Sequence, residues 1–160
     1  MIDVLQDFTA SLPAFLQWFG VMLVAAIPFV ESYFGSVIGV IAGLPPAVAI
    51  TVAVVGNVVS MLIFVLTAHR VRTKVVAGRA QPGQTEESPR RAKLRRSFDR
   101  YGVAGVSLLG QTILPSQITS AAMVSFGANR NAVIMWQVIS IILWGVAFGV
   151  LTTLGVSLVR

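Results

Sequence analysis

The chain contains no cysteine. Disulfides and thiolate metal sites are therefore closed to it, and the redox compartment leaves no mark on the sequence. A single histidine, His69, excludes a histidine-built zinc cluster as well. Charge is scarce too: 11% of residues are charged against 56% hydrophobic, which is too apolar for a soluble surface and points to an integral membrane protein. The first ten residues carry Asp3 and Asp7 but no lysine or arginine. The basic opening of a signal peptide is missing, so the N-terminus is expected to be retained. There are no paired carboxylates and no nucleophile beside a base, so an enzyme is not expected, nor is a cofactor or a metal.

The little charge present is concentrated. His69 to Arg100 holds ten of the twelve basic residues and only three acids, Glu86, Glu87 and Asp99. Between apolar runs such a basic segment reads as the positive-inside signal, and the central loop 69–100 is expected in the cytoplasm. Within it, 78–88 has the composition of a flexible connector. From Arg90 to Tyr101, Leu94, Phe98 and Tyr101 share one face, with Arg91, Lys93, Arg95, Arg96 and Arg100 elsewhere. This predicts a basic amphipathic helix on the anionic lipids of the cytoplasmic leaflet. Aromatic residues are not interleaved among its cations, so no nucleic-acid partner is expected.

The apolar runs are broken in an informative way. Leu12 to Leu44 spans 33 residues with Glu31 as the only charge. That length falls between one crossing of about 20 residues and two crossings of about 40. With Pro28 inside the run and Pro45-Pro46 closing it, a re-entrant hairpin of two short helices fits best. Its second arm sets Gly35, Gly39 and Gly43 four residues apart, the small-xxx-small spacing of close helix packing. A carboxylate in hydrocarbon is costly and marks a site by default, so Glu31 beside Pro28 is the leading functional candidate. Its plainer role is to cap the broken helix. Before this run, Ile2 to Phe19 has the spacing of an interfacial amphipathic helix or of the first turns of a membrane helix, with Trp18 at the headgroup level.

Pro46 to Ala68 is an uncharged full span, with Asn57 near its middle as a candidate partner of the broken backbone or as helix glue. A second interrupted run follows, with Gln111, Thr112, Ser116, Gln117, Thr119 and Ser120 gathered around Pro115. Such a cluster requires internal partners or water. Ala132 to Val159 is the second full span, carrying Gly145 and Gly149 as another small-residue pair.

The order of features repeats. Residues 12–68 and 101–159 each run apolar arm, proline with polar residues, small-residue arm, glycine turn and long span, so Pro28 answers to Pro115 and Gly43 to Gly127. One hairpin plus one crossing per repeat is an odd number of crossings, which inverts the second repeat. The expected fold is a single all-α membrane domain of two inverted repeats, each a re-entrant helical hairpin plus a transmembrane helix. The hairpin tips are expected to meet at the midplane, bringing Glu31 towards Gln111 and Gln117. Four ordinary spans are the competing arrangement.

Pro28-Phe-Val-Glu31 with its glycine-rich arm, Gly56-Asn57, Tyr101-Gly102 and the polar tip at Pro115 resemble the DedA/VTT superfamily. The size is closest to its branch of putative small multi-drug export proteins. The resemblance spans Ala25 to Leu154 apart from the basic loop. It implies opposed re-entrant hairpins, dependence on proton-motive force, and export or translocation of lipid carriers of the undecaprenyl-phosphate type, with Glu31 the essential carboxylate. The chain departs from DedA members in having Gln111 and Gln117 where they place arginines. A fixed cation to grip a phosphate is thus missing, and a lone Glu31 suits a cationic amphiphile or a proton by itself.

The function expected is a small proton-linked transporter of an amphipathic or lipidic substrate in the inner (cytoplasmic) cell membrane. The alternative is a non-transporting scaffold that recruits a partner through its glycine faces. The same faces make a homodimer plausible.

Overall fold

A computed structural model describes residues 2–77, 89–111 and 113–159. Among these the chain is helical throughout, without strands. Helix α1, Ile2–Ser11, stops ahead of Pro13, and a 3-10 turn at Ala14–Leu16 leads into α2, Gln17–Ala25. The single amphipathic helix expected over 2–19 is therefore cut in two, because the residue before a proline is driven out of the helical region. Helix α3, Glu31–Ile41, returns after a five-residue break at 26–30.

Helix α4 runs without interruption from Pro46 to Ala77. Proline suits its first turn, where no N–H is needed. The segment from His69 was expected to belong to the central loop, but the helix continues through it. Hydropathy changes at Ala68, yet nothing there breaks a helix; the first glycine comes at Gly78. The connector expected at 78–88 lies outside the described residues, as does Thr112.

Helix α5, Pro89–Gly110, is kinked at Gly102, whose φ of 65° and ψ of −171° interrupt the helical path. Gly102 thus separates the basic helix from the apolar arm that follows. Helix α6, Ser116–Phe126, is followed by a turn at Gly127 and by α7, Arg130–Val159. Asn129 caps α7, its Oδ1 accepting the N–H of Asn131 at 2.9 Å and of Ala132 at 3.2 Å.

Two helix pairs are short hairpins: α2 packs on α3, and α5 on α6. An eleven-residue helix such as α3 or α6 is about 16 Å long, near half the thickness of a hydrocarbon core. By contrast, Pro46–Lys74 and Arg130–Leu158 are each long and apolar enough to cross a membrane, and an apolar 18-residue stretch of each has only a third of its residues buried. Each long helix buries one stripe: Ala49, Ala53, Asn57, Ser60, Met61 and Val65 on α4, and Val133, Gln137, Ser140, Ile141 and Gly149 on α7. The remaining faces expose Val59, Ile63, Leu143 and Leu151.

Residue contacts divide the chain into two units, Met1–Ser60 with Ser140–Arg160, and Met61–Ile139. In the first, α1 packs against both arms of the α2–α3 hairpin. Leu5 and Phe34 lie against a core of Val24, Val30 and Ile38, and Leu44 and Val52 against Val21, Ala25 and Ala53. Small residues set the spacing of the helices. A Cβ added at Gly35 would fall 2.6 Å from the Ala25 Cβ and 3.1 Å from that of Ala53. At Gly39 it would meet Ala49 at 2.8 Å, at Gly145 Val54 and Ser32, and at Gly149 the Ile50 side chain. Gly43 differs from the expectation. It stands in the turn after α3 at φ 92° with open space where a side chain would be, so it shapes the chain and packs on nothing.

In the second unit Phe98 of α5 stacks against Phe126 of α6, with ring centres 6.2 Å apart, and Leu94 is buried. Of the apolar face expected to lie on lipid, Leu94 is buried and Phe98 meets Phe126, while Tyr101 stays exposed. The Arg95 guanidinium sits over the Phe126 ring at 5.7 Å and that of Arg100 over Tyr101 at 5.2 Å. Lys93 and Arg96 are exposed, while the side chain of Arg91 lies outside the described residues.

Candidate functional site

The tip of the first hairpin is built from a backbone that cannot continue as a helix. Pro28 offers no N–H to the ladder. The chain compensates with short bonds: Ile27 N–H donates to the Val24 carbonyl at 3.1 Å, and the Val30 and Glu31 N–H groups both donate to the Ile27 carbonyl. The turn forces Phe29 to φ 74° and Glu31 to φ 55°, a region that residues with a Cβ rarely occupy. They are the only two such residues besides glycine among those described.

Glu31 opens α3 and is fully buried. Serine hydroxyls secure the backbone of this tip. Ser32 Oγ donates to the Ile141 carbonyl of α7 at 2.8 Å, and Ser36 Oγ to the Ser32 carbonyl at 2.7 Å. Ser60 Oγ of α4 donates to the Ala26 carbonyl at 2.8 Å, satisfying the end of α2. Asn57, three residues earlier on the same stripe, is fully buried. Gly56 lies against the backbone of Met22 so closely that no side chain fits. On the outer side, Tyr33 donates to the Phe29 carbonyl at 3.2 Å and its ring packs on Phe148.

The second hairpin tip belongs to the other unit. The Ile113 and Leu114 N–H groups turn back to the Gly110 carbonyl, each at 2.9 Å, and Thr119 N–H reaches the Pro115 carbonyl. Gln111, Ser116, Gln117, Thr119 and Ser120 are all buried, and Ser120 Oγ donates to the Gln117 carbonyl at 3.1 Å. Such a tip offers hydrogen-bonding groups without a formal charge.

Of the residues singled out in sequence, Pro28, Glu31 and Asn57 therefore fall in one unit and Gln111, Pro115, Ser116 and Gln117 in the other. Two further buried polar residues, Ser60 and Gln137, carry no obvious sequence signal of this kind. Ser32 and Ser60 tie the first tip to α7 and α4. Gln137, on the buried stripe of α7, is 1% exposed, and its Oε1 finds no hydrogen-bond partner among the described residues. A signal for it exists in retrospect: Gln137-Val-Ile-Ser140 repeats the chemistry and spacing of Asn57-Val-Val-Ser60. Comparison with protein-family models, with curated proteins and with solved structures finds no match for the chain.

Proposed function

We propose that the chain is a small membrane transporter, driven by or coupled to protons, that exports or translocates an amphipathic or lipidic substrate. The observation that carries this reading is Glu31: a carboxylate fully buried at the strained tip of a hairpin whose arms are too short to cross a bilayer. Two apolar spans with exposed hydrophobic faces support insertion, since water does not tolerate such a surface. On this reading the α2–α3 and α5–α6 hairpins are re-entrant, the repeats are inverted, and the basic segment marks the cytoplasmic side of the inner membrane. Membership of the DedA/VTT superfamily belongs to the same proposal.

In this mechanism Glu31 takes a proton from one side and releases it when its surroundings open to the other. The substrate is held by apolar walls and by hydroxyl and amide groups, which is why an amphiphile suits the site. The scaffold alternative gains nothing from Gly35, Gly39, Gly145 and Gly149, because those glycines already receive helices of their own unit. The test is flux of a cationic amphiphile in proteoliposomes under an imposed pH gradient. Glu31→Gln, inserted and folded, is expected to abolish it. Undiminished flux in that variant would remove the proposal.

A further inference from the structure

We propose that a basic depression in the second unit, between the C-terminal part of α4 and the α6–α7 turn, binds the phosphate of an acidic phospholipid headgroup. It rests on the membrane reading above but not on Glu31, and it is a resident-lipid site, separate from the transported substrate.

The depression has a volume of about 420 Å³ and is lined by His69 and Arg72 of α4 and by the turn 127–131. A headgroup phosphate with part of its glycerol fits, since small-molecule sites begin near about 300 Å³. No carboxylate is among the lining residues. His69 and Arg72 are three apart on one helix and so share a face. Arg72 is set directly over Gly127, where an added Cβ would lie 3.1 Å from its Nη2. The glycine, at φ 110°, thus leaves room for the guanidinium to reach the turn. Across the depression Arg130 Nε donates to Asn131 Oδ1 at 3.4 Å, which steadies the second guanidinium. Two guanidinium forks, each able to donate two parallel bonds, are suited to phosphate oxygens. The first turn of α7 adds its positive dipole end.

The location selects the ligand. His69 and Arg72 lie near the end of the span that closes at Lys74, and Arg130 opens the other span. In a bilayer these ends reach the level of the headgroups, where anionic lipid accumulates on the cytoplasmic leaflet. A free phosphate ion shares the chemistry but lacks the acyl chains that would hold it there.

The test uses the full chain in phosphatidylcholine nanodiscs with and without phosphatidylglycerol, and native mass spectrometry to count bound lipid. Wild type is expected to retain phosphatidylglycerol in preference to phosphatidylcholine. Arg72→Gln with Arg130→Gln, and separately Ala128→Asp, which places a carboxylate in the depression while keeping both arginines, should each weaken retention about tenfold. Arg70→Gln with Lys74→Gln, which removes equal charge from exposed positions of α4 outside the depression, should leave it unchanged. If the double arginine variant does not fold, Ala128→Asp alone decides. Retention equal to wild type in Ala128→Asp, or an equal loss in the Arg70/Lys74 variant, would overturn the proposal. Titration with inorganic phosphate identifies the source: displacement of lipid at millimolar phosphate supports recognition of the phosphate group itself, and failure to displace supports a lipid that binds through headgroup and chains together. Flux measured in parallel keeps this result separate from the Glu31 test.

Discussion

Ser32 Oγ donates to the Ile141 carbonyl at 2.8 Å, joining the residue that follows Glu31 to a helix more than a hundred positions away in the chain. Both groups are buried. Together with Ser60 and Ala26, this bond anchors each side of the first tip: one serine holds the end of α2, the other the start of α3.

Ser32→Ala and Ser60→Ala should therefore each lower stability by about 0.5–1.5 kcal/mol, the net worth of a buried hydrogen bond. Thermal unfolding in detergent reads this out. The double variant should show the sum, because the two bonds involve different partners. No loss in either variant would mean that the tip is held by other contacts.

The glycines separate into two kinds by what surrounds them. Gly35→Val and Gly39→Val should destabilise by about 1–3 kcal/mol each, as overpacked cores do, since an added side chain meets Ala25, Ala53 or Ala49. Gly155→Val, with nothing within 4 Å, should change stability little. Equal effects at all three positions would show that helix propensity, and not packing, governs them.

Phe29 offers a test of backbone strain. It is 57% exposed, so its ring contributes little burial, while its φ of 74° disfavours any side chain. Phe29→Gly should be neutral or stabilising by up to about 1 kcal/mol. A Gly43→Ala substitution should act in the opposite sense by a similar amount, because its φ of 92° favours glycine. A marked loss of stability in Phe29→Gly would show that the ring, and not the turn, holds the tip.

Sidedness is open to direct measurement, because the chain has no cysteine to remove. Cysteines introduced at Asp3 and at Gly43 should react with an impermeant reagent from the same side of a vesicle. Reaction from opposite sides would make α2 and α3 parts of an ordinary crossing and end the re-entrant reading.

Much of the architecture was legible because proline and glycine punctuate it. Pro28 and Pro115 mark both breaks, and Gly43 and Gly127 both precede a long helix at positive φ. The end of α4 was misjudged since hydropathy falls nine residues before the helix does; polarity alone does not stop a helix. The contact of Phe98 with Phe126 was not legible for a related reason. An apolar face is equally suited to lipid or to protein, and only the position of Phe126 decides between them. In the site, Glu31 stood out by being the lone carboxylate of an apolar run. Its left-handed backbone, and the serines that secure the tip, depend on groups brought together from distant positions in the chain. No spacing along the chain announces them.

The two left-handed residues have a mechanical consequence. At about 1–2 kcal/mol each, Phe29 and Glu31 hold the tip under a load of about 2–4 kcal/mol. Any rearrangement that lets both return to ordinary helical angles recovers that free energy, enough to shift a two-state balance by about thirtyfold to a thousandfold. The turn is a cocked spring, and the acidic side chain forms part of its coil.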